Sequence, residues 1–362
     1  MITPPHTYII AEAGVNHNGD LNLALEMVEC AAKSGADAIK FQTFSADRLV
    51  TKNARQAEYQ TKNIGKEDSQ YNMLKKLELS EDNHTILLEH CKKHKIDFLS
   101  SAFDIESAKF LGQTLNLPTI KLGSGELTNA PLLLECAKMN VQIILSTGMA
   151  TTEEIEKSLG VLAFGYLNGN DPTPSIKKFE NSFNNNEGQQ RLRDKVSLLQ
   201  CTTAYPCDFT QVNLKAMEHL RRSFGLKTGY SDHTTGSHIS IAAVAMGAKI
   251  IEKHFTLDRT MEGPDHKASL EPNELTQMVS CIRDVEKSLG SGIKAPDDAE
   301  LGNRAVARKG LHTSKTIQKG EAFCPENITT KRPEDGLSPY LYWDLIGKTA
   351  SRDYNEDDAI NE

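Results

Sequence analysis

The feature that most constrains this chain is an alternation, from residue 8 to about residue 290, of short apolar β-rich runs with amphipathic helical stretches. The runs are Tyr8–Gly14, Ala38–Thr43, Asp97–Phe103, Thr119–Ser124, Val141–Thr147, Val196–Thr202, Lys227–His233 and Lys249–Phe255. Intervening stretches such as LNLALEMVECAAKSG place apolar residues at i, i+3 and i+4 and close on a glycine. Continuously apolar strands separated by helices bury both faces, which requires a parallel sheet covered on each side. Eight successive strand–helix units ending in a helix at Glu274–Leu289 are the count for an α/β protein of the (β/α)8 TIM-barrel type. An open doubly wound sheet is the competing arrangement.

Two stretches interrupt this pattern. Residues 47–75 form a long polar connection after the second strand, on the side where barrel active-site loops sit. Residues 165–195, rich in Asn, Gly, Pro and charge, follow the fifth helix and read as a mobile surface insertion at the opposite rim, without chemistry. The expected organisation is a catalytic barrel over 1–289, a linker over 290–304 and a small β-rich domain over 305–362. The last is too small to bury an adequate core alone and is expected to dock onto something.

Charge and cysteine usage exclude several classes. A net charge of −8 argues against broad nucleic-acid or membrane-surface binding, which needs a basic face, so any charge that holds an anion must be local. Seven scattered cysteines without a CxxC fit reduced thiols better than a disulfide framework. No signal peptide is visible in MITPPHTYIIAEAG, and no apolar stretch approaches the roughly 20 residues of a membrane span. A cytoplasmic protein is expected, and the N-x-T matches at Asn83 and Asn327 are read as chance.

Barrel catalytic groups sit at the C-terminal strand ends. Those ends offer Glu12, Asn16 and His17; Lys40 and Gln42; Ser101; Lys121, Ser124 and Glu126; Ser146 and Thr147. The remaining strands add Thr202, Thr203 and Tyr205; Ser231, Asp232 and His233; and Glu252 and His254. Polar groups there are costly unless partnered, and lysines with hydroxyls around a Gly-Ser-Gly turn suit a phosphate or carboxylate ligand. A single strand-end serine is more often a satisfied core hydroxyl, so the set carries the argument. His233 and His254 stand one strand–helix unit apart, and two neighbouring imidazoles can ligate a divalent Mn²⁺, Co²⁺ or Zn²⁺. One structural and one substrate-contacting histidine is the alternative at this point. His6, His84, His90, His94, His219 and His312 are read as solvated loop or helix residues.

The strings AEAGVNHNGD, IKFQTF, IKLGSGE, ILSTGM, CTTAYP, GYSDHT, IEKHFTLD and GPDHKAS stand in order at successive strand ends. With ARKGLHTSKTIQKGEAF and ITTKRP near the C-terminus, they resemble the sialic acid synthase family over nearly the whole chain. The resemblance implies condensation of phosphoenolpyruvate with an N-acylated hexosamine, on a barrel followed by an antifreeze-like (SAF, β-clip) domain. It also implies a homodimer with swapped C-terminal domains, and a metal, usually Mn²⁺ with Mg²⁺ or Co²⁺ as alternatives, at His233 and His254. Phosphoenolpyruvate contacts carried over by the resemblance fall on Lys40, Lys121, Ser124, Ser146, Thr203 and Ser231. Sugar contacts fall on Gln42, Tyr205, Asp265 and, from the partner's small domain, Arg332. Glu12, Glu126 and Glu252 match its acidic positions, with Glu126 expected to transfer a proton. Ser101 keeps a hydroxyl where Thr-Pro is common, and KRPEDG replaces a frequent KRPGNG, adding negative charge beside Arg332.

Two rivals remain. A class I aldolase would use Lys40 or Lys121 as a Schiff-base nucleophile and need no metal. A non-catalytic binding protein would use the antifreeze-like segment, whose Lys315, Lys319, Lys331, Arg332 and Glu334 make a poor flat ice-binding face. AEYQTKN, SSAF and GPDHKASLEPNEL occur both in family members that make N-acetylneuraminic acid from N-acetylmannosamine and in those that make legionaminic acid from 2,4-diacetamido-2,4,6-trideoxymannose.

Overall fold

The computed structural model of the chain describes residues 6–55, 69–169, 171 and 173–362. The strands are β1 (Tyr8–Gly14), β2 (Ala38–Thr43), β3 (Asp97–Ala102), β4 (Thr119–Leu122), β5 (Gln142–Ser146), β6 (Val196–Gln200), β7 (Lys227–Asp232) and β8 (Ile250–His254). They pair in parallel in sequence order, and β8 returns to β1, closing the barrel. From β3 onward the strands end one or two residues earlier than the apolar runs suggest, because Phe103, Gly123, Thr147, Cys201 and His233 already turn out of the ladder.

Two cores follow from the strand period of two. Residues facing the helices join the helical apolar faces in one large cluster. Facing inward, Ile10, Ala38, Leu99, Ile144, Leu199 and Ile250 fill the lower barrel. Two residues further along, the positions that face inward are Glu12, Lys40, Ser101, Ser146 and Glu252 on their strands and Cys201 just past the end of β6. An apolar plug therefore supports a mostly polar floor.

Residues 165–195 are not a loose insertion. The helix Thr152–Asn168 continues into them, and the helices Ile176–Phe183 and Asn186–Lys195 pack against it, with Phe164 and Phe179 rings 5.3 Å apart. The polar residues that look like loop are caps: Ser175 and Asn185 accept from backbone N–H groups of the following helix. Residues 47–75 are less polar than their composition suggests. Their described parts include the helices Ala46–Leu49 and Gln70–Leu77, and the second buries Met73, Leu74 and Leu77 against Val15, Phe44 and Ala46. The string AEYQTKN lies outside the described residues.

The chain divides into two compact units, Met1–Gly290 and Ser291–Glu362. A helix, Asp298–Ala307, begins within the expected linker and runs three residues past its end, opened by a capping box between Asp297 and Glu300. The second unit closes a small core of Leu311, Ile317, Phe323, Ile328, Leu345, Ala350, Tyr354 and Ile360 around the antiparallel pair β9 (Gly310–Thr313) and β10 (Ile328–Lys331). Among the described residues no helix is long and apolar enough to cross a membrane.

One ion pair braces the barrel wall. Asp232 of β7 and Lys253 of β8 are register partners with no solvent exposure, and Lys253 Nζ lies 3.1 Å from Asp232 Oδ2. Asp232 also accepts from the Thr234 amide and hydroxyl and from Ser240 Oγ, while Lys253 donates to the Thr234 carbonyl. Removing one partner of such a pair strands a buried charge, at about 3–5 kcal/mol. Lys253→Met should therefore lower stability by that amount in urea unfolding, and adding Asp232→Asn should recover part of the loss.

Candidate active site

The polar floor opens into a cavity of about 320 Å³ at the C-terminal ends of the strands. Of the sixteen residues assigned a catalytic, substrate or metal role, fifteen line it: Glu12, Lys40, Gln42, Ser101, Lys121, Ser124, Glu126, Ser146, Thr203, Tyr205, Ser231, His233, Glu252, His254 and Asp265, whereas the strand-end Asn16, His17, Thr147, Thr202 and Asp232 do not. Arg332 belongs to the second unit and is exposed.

Four charges form the floor. Lys40 Nζ lies 2.7 Å from Glu12 Oε2 and 3.6 Å from Glu252 Oε2, and Lys121 Nζ lies 3.6 Å from Glu252 Oε1. All four side chains are at most 5% exposed. Burial opposes ionisation of Glu252, but Lys121, Lys40 and the Ser231 hydroxyl outweigh it and hold its carboxyl below the ordinary carboxylate range. Burial dominates at Glu12 and, with the Glu252 carboxylate beside it, pushes that carboxyl above the ordinary carboxylate range despite Lys40. Burial draws Lys121 below the ordinary lysine range, while for Lys40 the two carboxylates overcome burial and raise it.

Hydroxyls ring these charges. Lys40 donates to Ser101 Oγ at 2.9 Å, and Ser231 Oγ donates to Glu252 at 2.9 Å. Ser124 Oγ accepts from the Gly148 amide at 3.0 Å and lies 3.0 Å from Cys201 Sγ. A Cβ on Gly148 would stand 2.5 Å from Thr203 Oγ1 and 2.8 Å from Ser124 Oγ, so this turn admits only glycine without displacing both hydroxyls. Ser146 Oγ is buried with no hydrogen-bond partner among the described residues.

The imidazoles of His233 and His254 have ring centroids 5.6 Å apart, and the Tyr205 ring lies 4.1 Å from His233. His233 Nδ1 is 2.7 Å from the Thr202 carbonyl, which only accepts, so Nδ1 carries the proton and Nε2 the lone pair. Burial holds His233 down at about 4 and, with His233 beside it, keeps His254 well below the ordinary histidine range. His254 Nδ1 is buried without a hydrogen-bond partner among the described residues. Two neutral imidazoles, one with its tautomer set by a carbonyl, are a donor set that fits a divalent metal ion.

Glu126 follows the turn after β4. Burial raises its carboxyl, although Asn129 Nδ2 donates to its Oε2 at 2.7 Å. Asp265 is buried, which pushes its carboxyl up to about 6.

Sequence reasoning missed an apolar side of the cavity formed by Val15, Leu49, Val50, Met73, Leu74, Leu77 and Phe103. The run QYNMLKKL carried the signal, since its three apolar positions fall on one helical face. Cys201 was also missed, because a cysteine at an inward strand position reads as core. Two histidines read as solvated are buried. His84 lies 2.8 Å from Thr43 Oγ1 and donates to the Ser80 carbonyl, and His312 sits on β9, 2.9 Å from Asp335. His90 and His94 are partly buried on the outer helix Glu81–His94 and, with Glu29, form a group that could hold a metal ion. Glu29 there is also paired with Lys33 at 3.3 Å.

Comparison with known proteins places the chain. Residues 27–294 match the NeuB family model and residues 308–361 match the SAF domain. The N,N'-diacetyllegionaminic acid synthase of Campylobacter jejuni is 49% identical over 98% of this chain and 99% of its own length. The enzyme of the same name from Legionella pneumophila is 43% identical over 95% of this chain and 90% of its own. Among solved structures, the N-acetylneuraminic acid synthetase of Leptospira borgpetersenii in complex with citrate matches with a TM-score of 0.66 and 32% identity, over 82% of this chain and 90% of that one. The (β/α)8 barrel with its charged floor, followed by a SAF domain, belongs to the NeuB family of sialic acid synthases.

Proposed function

We propose that this chain is a nonulosonic acid synthase that condenses phosphoenolpyruvate with an N-acylated mannosamine-type sugar and releases phosphate by C–O cleavage. The observation that carries the reading is the buried Lys40–Glu12–Glu252–Lys121 floor with its ring of hydroxyls, in one cavity with a histidine pair. Relatives that are diacetyllegionaminic acid synthases support 2,4-diacetamido-2,4,6-trideoxymannose over N-acetylmannosamine as the sugar.

Lys40 and Lys121 hold the carboxylate and phosphate of phosphoenolpyruvate as point charges, with Ser124, Ser146, Thr203 and Ser231 completing the contacts. The methylene carbon attacks the sugar aldehyde, forming the carbon–carbon bond and leaving a cation at C2. Water adds to C2, and as phosphate leaves with its bridging oxygen the water oxygen becomes the keto oxygen, one of its protons passing to the new alkoxide and the other to the departing phosphate. Glu126, its carboxyl raised by burial, is suited to move these protons. Gln42, Tyr205 and Asp265 position the sugar. A divalent ion, most simply Mn²⁺, held by His233 and His254 would polarise the aldehyde oxygen.

The reaction has a direct test. With ¹⁸O in the oxygen that bridges C2 and phosphorus, the label should appear in inorganic phosphate, and its retention in the sugar product would refute C–O cleavage. One observation favours the aldolase rival: burial lowers Lys121, as a Schiff-base lysine requires. Borohydride with pyruvate would trap that lysine covalently, whereas the synthase should remain unmodified.

The metal has a readout apart from turnover. Calorimetric titration of EDTA-treated protein with Mn²⁺ should show a site that His254→Ala abolishes. Unchanged binding in that variant would remove the histidine pair from metal duty.

We further propose a swapped dimer in which each SAF domain brings Arg332 to the sugar of the partner's barrel. Arg332→Ala and Glu126→Gln should each impair turnover, the second by roughly 10²–10⁴-fold. Mixed and allowed to exchange subunits, the two variants should regain activity, since one site then combines an intact barrel with an intact arginine. No recovery would mean that Arg332 acts within its own chain.

A further inference from the structure

The proposed condensation orients the sugar, and the following inference rests on that orientation. The aldehyde carbon must meet phosphoenolpyruvate over the charged floor, so the other end of the six-carbon chain lies against a wall of the cavity. One side of the cavity is apolar, formed by Val15, Leu49, Val50, Met73, Leu74 and Leu77. On the helix Gln70–Leu77, Gln70 is the one polar side chain that also lines it. These six residues belong to a satellite cluster with Phe44 and Ala46, separate from the main barrel core. Val15, Met73, Leu74 and Leu77 are each at most 9% exposed, whereas Leu49 and Val50 are only partly buried at the edge of the cluster.

We infer that this wall reads carbon 6 of the sugar and selects a 6-deoxy substrate, whose methyl group packs where a hydroxymethyl would be left without a partner. Groups that distinguish the reacting end are already present on the floor: the lysines, the hydroxyls and the histidine pair. The apolar wall supplies no hydrogen bond for a hydroxyl at its centre and offers contact area to a methyl. Nothing in barrel closure demands it, because the plug of Ile10, Leu99, Ile144 and Leu199 fills the barrel below. An apolar wall rejects an added hydroxyl only moderately, by about 10–100-fold.

Two probes isolate carbon 6: N-acetylmannosamine and 2-acetamido-2,6-dideoxymannose, which differ there alone. With saturating phosphoenolpyruvate, kcat/KM should favour the 6-deoxy sugar by about 10–100-fold. Leu49→Asn and Val50→Thr, both at the partly exposed edge of the wall, should each reduce this ratio by about tenfold, chiefly through KM for the 6-deoxy sugar. KM for phosphoenolpyruvate should stay constant in both variants, which also shows that the floor is intact. A ratio near one in the unaltered enzyme, or a ratio that neither variant moves, would overturn the inference while leaving the condensation standing. Absence of turnover with both probes and with the diacetamido sugar would instead overturn the condensation itself.

Discussion

Four ionisable side chains share one nearly dry floor, and the rest of the barrel is arranged around keeping them there. Neither Lys40 nor Lys121 could remain charged at 3% exposure without Glu12 and Glu252, and neither carboxylate could without the lysines. The arrangement is balanced in charge but uneven in strength. Glu252 sits between both ammonium groups and stays ionised, whereas Glu12 is raised by burial and by Glu252. The two ammonium groups give the floor a local positive charge for an anion, in a chain whose overall charge is −8.

Register also explains why the histidine pair is held so firmly. In β7 and β8 the side chains alternate, so Ser231, His233, Glu252 and His254 line the cavity while Asp232 and Lys253 point into the wall behind them. Every hydrogen-bonding position of Asp232 is used by Thr234, Ser240 or Lys253. The imidazoles are therefore carried on two strand ends tied to each other by an ion pair that never sees water. That is how a site gains rigidity without using loops.

Much of this was legible before any coordinates, for a simple reason. Eight strands of inward period two put a residue of fixed offset at the mouth, so reading the strand ends is close to reading the cavity lining. What escaped was set by tertiary context. His84 and His312 look like surface residues because a lone histidine carries no burial signal, and the side chains that partner them, Thr43 and Asp335, are distant in sequence. The helices in 165–195 were hidden by their own capping residues, since Ser and Asn signal a loop and a helix start alike. The apolar wall lay inside a segment judged by its average polarity, which conceals one face of a short amphipathic helix.

The second unit shows how a sequence departure can be absorbed. KRPEDG puts two carboxylates beside Arg332, and their simplest effect would be to neutralise it. Instead Glu334 lies 3.5 Å from Arg304 and 3.7 Å from Arg308, on and just after the helix Asp298–Ala307. Its amide donates to the Ala305 carbonyl. Asp335 turns to His312, whose other ring nitrogen lies 3.1 Å from the Gly310 carbonyl. Arg332 itself makes no ion pair among the described residues. The two added charges thus tie the loop to the helix Asp298–Ala307 and to β9 rather than to the arginine between them.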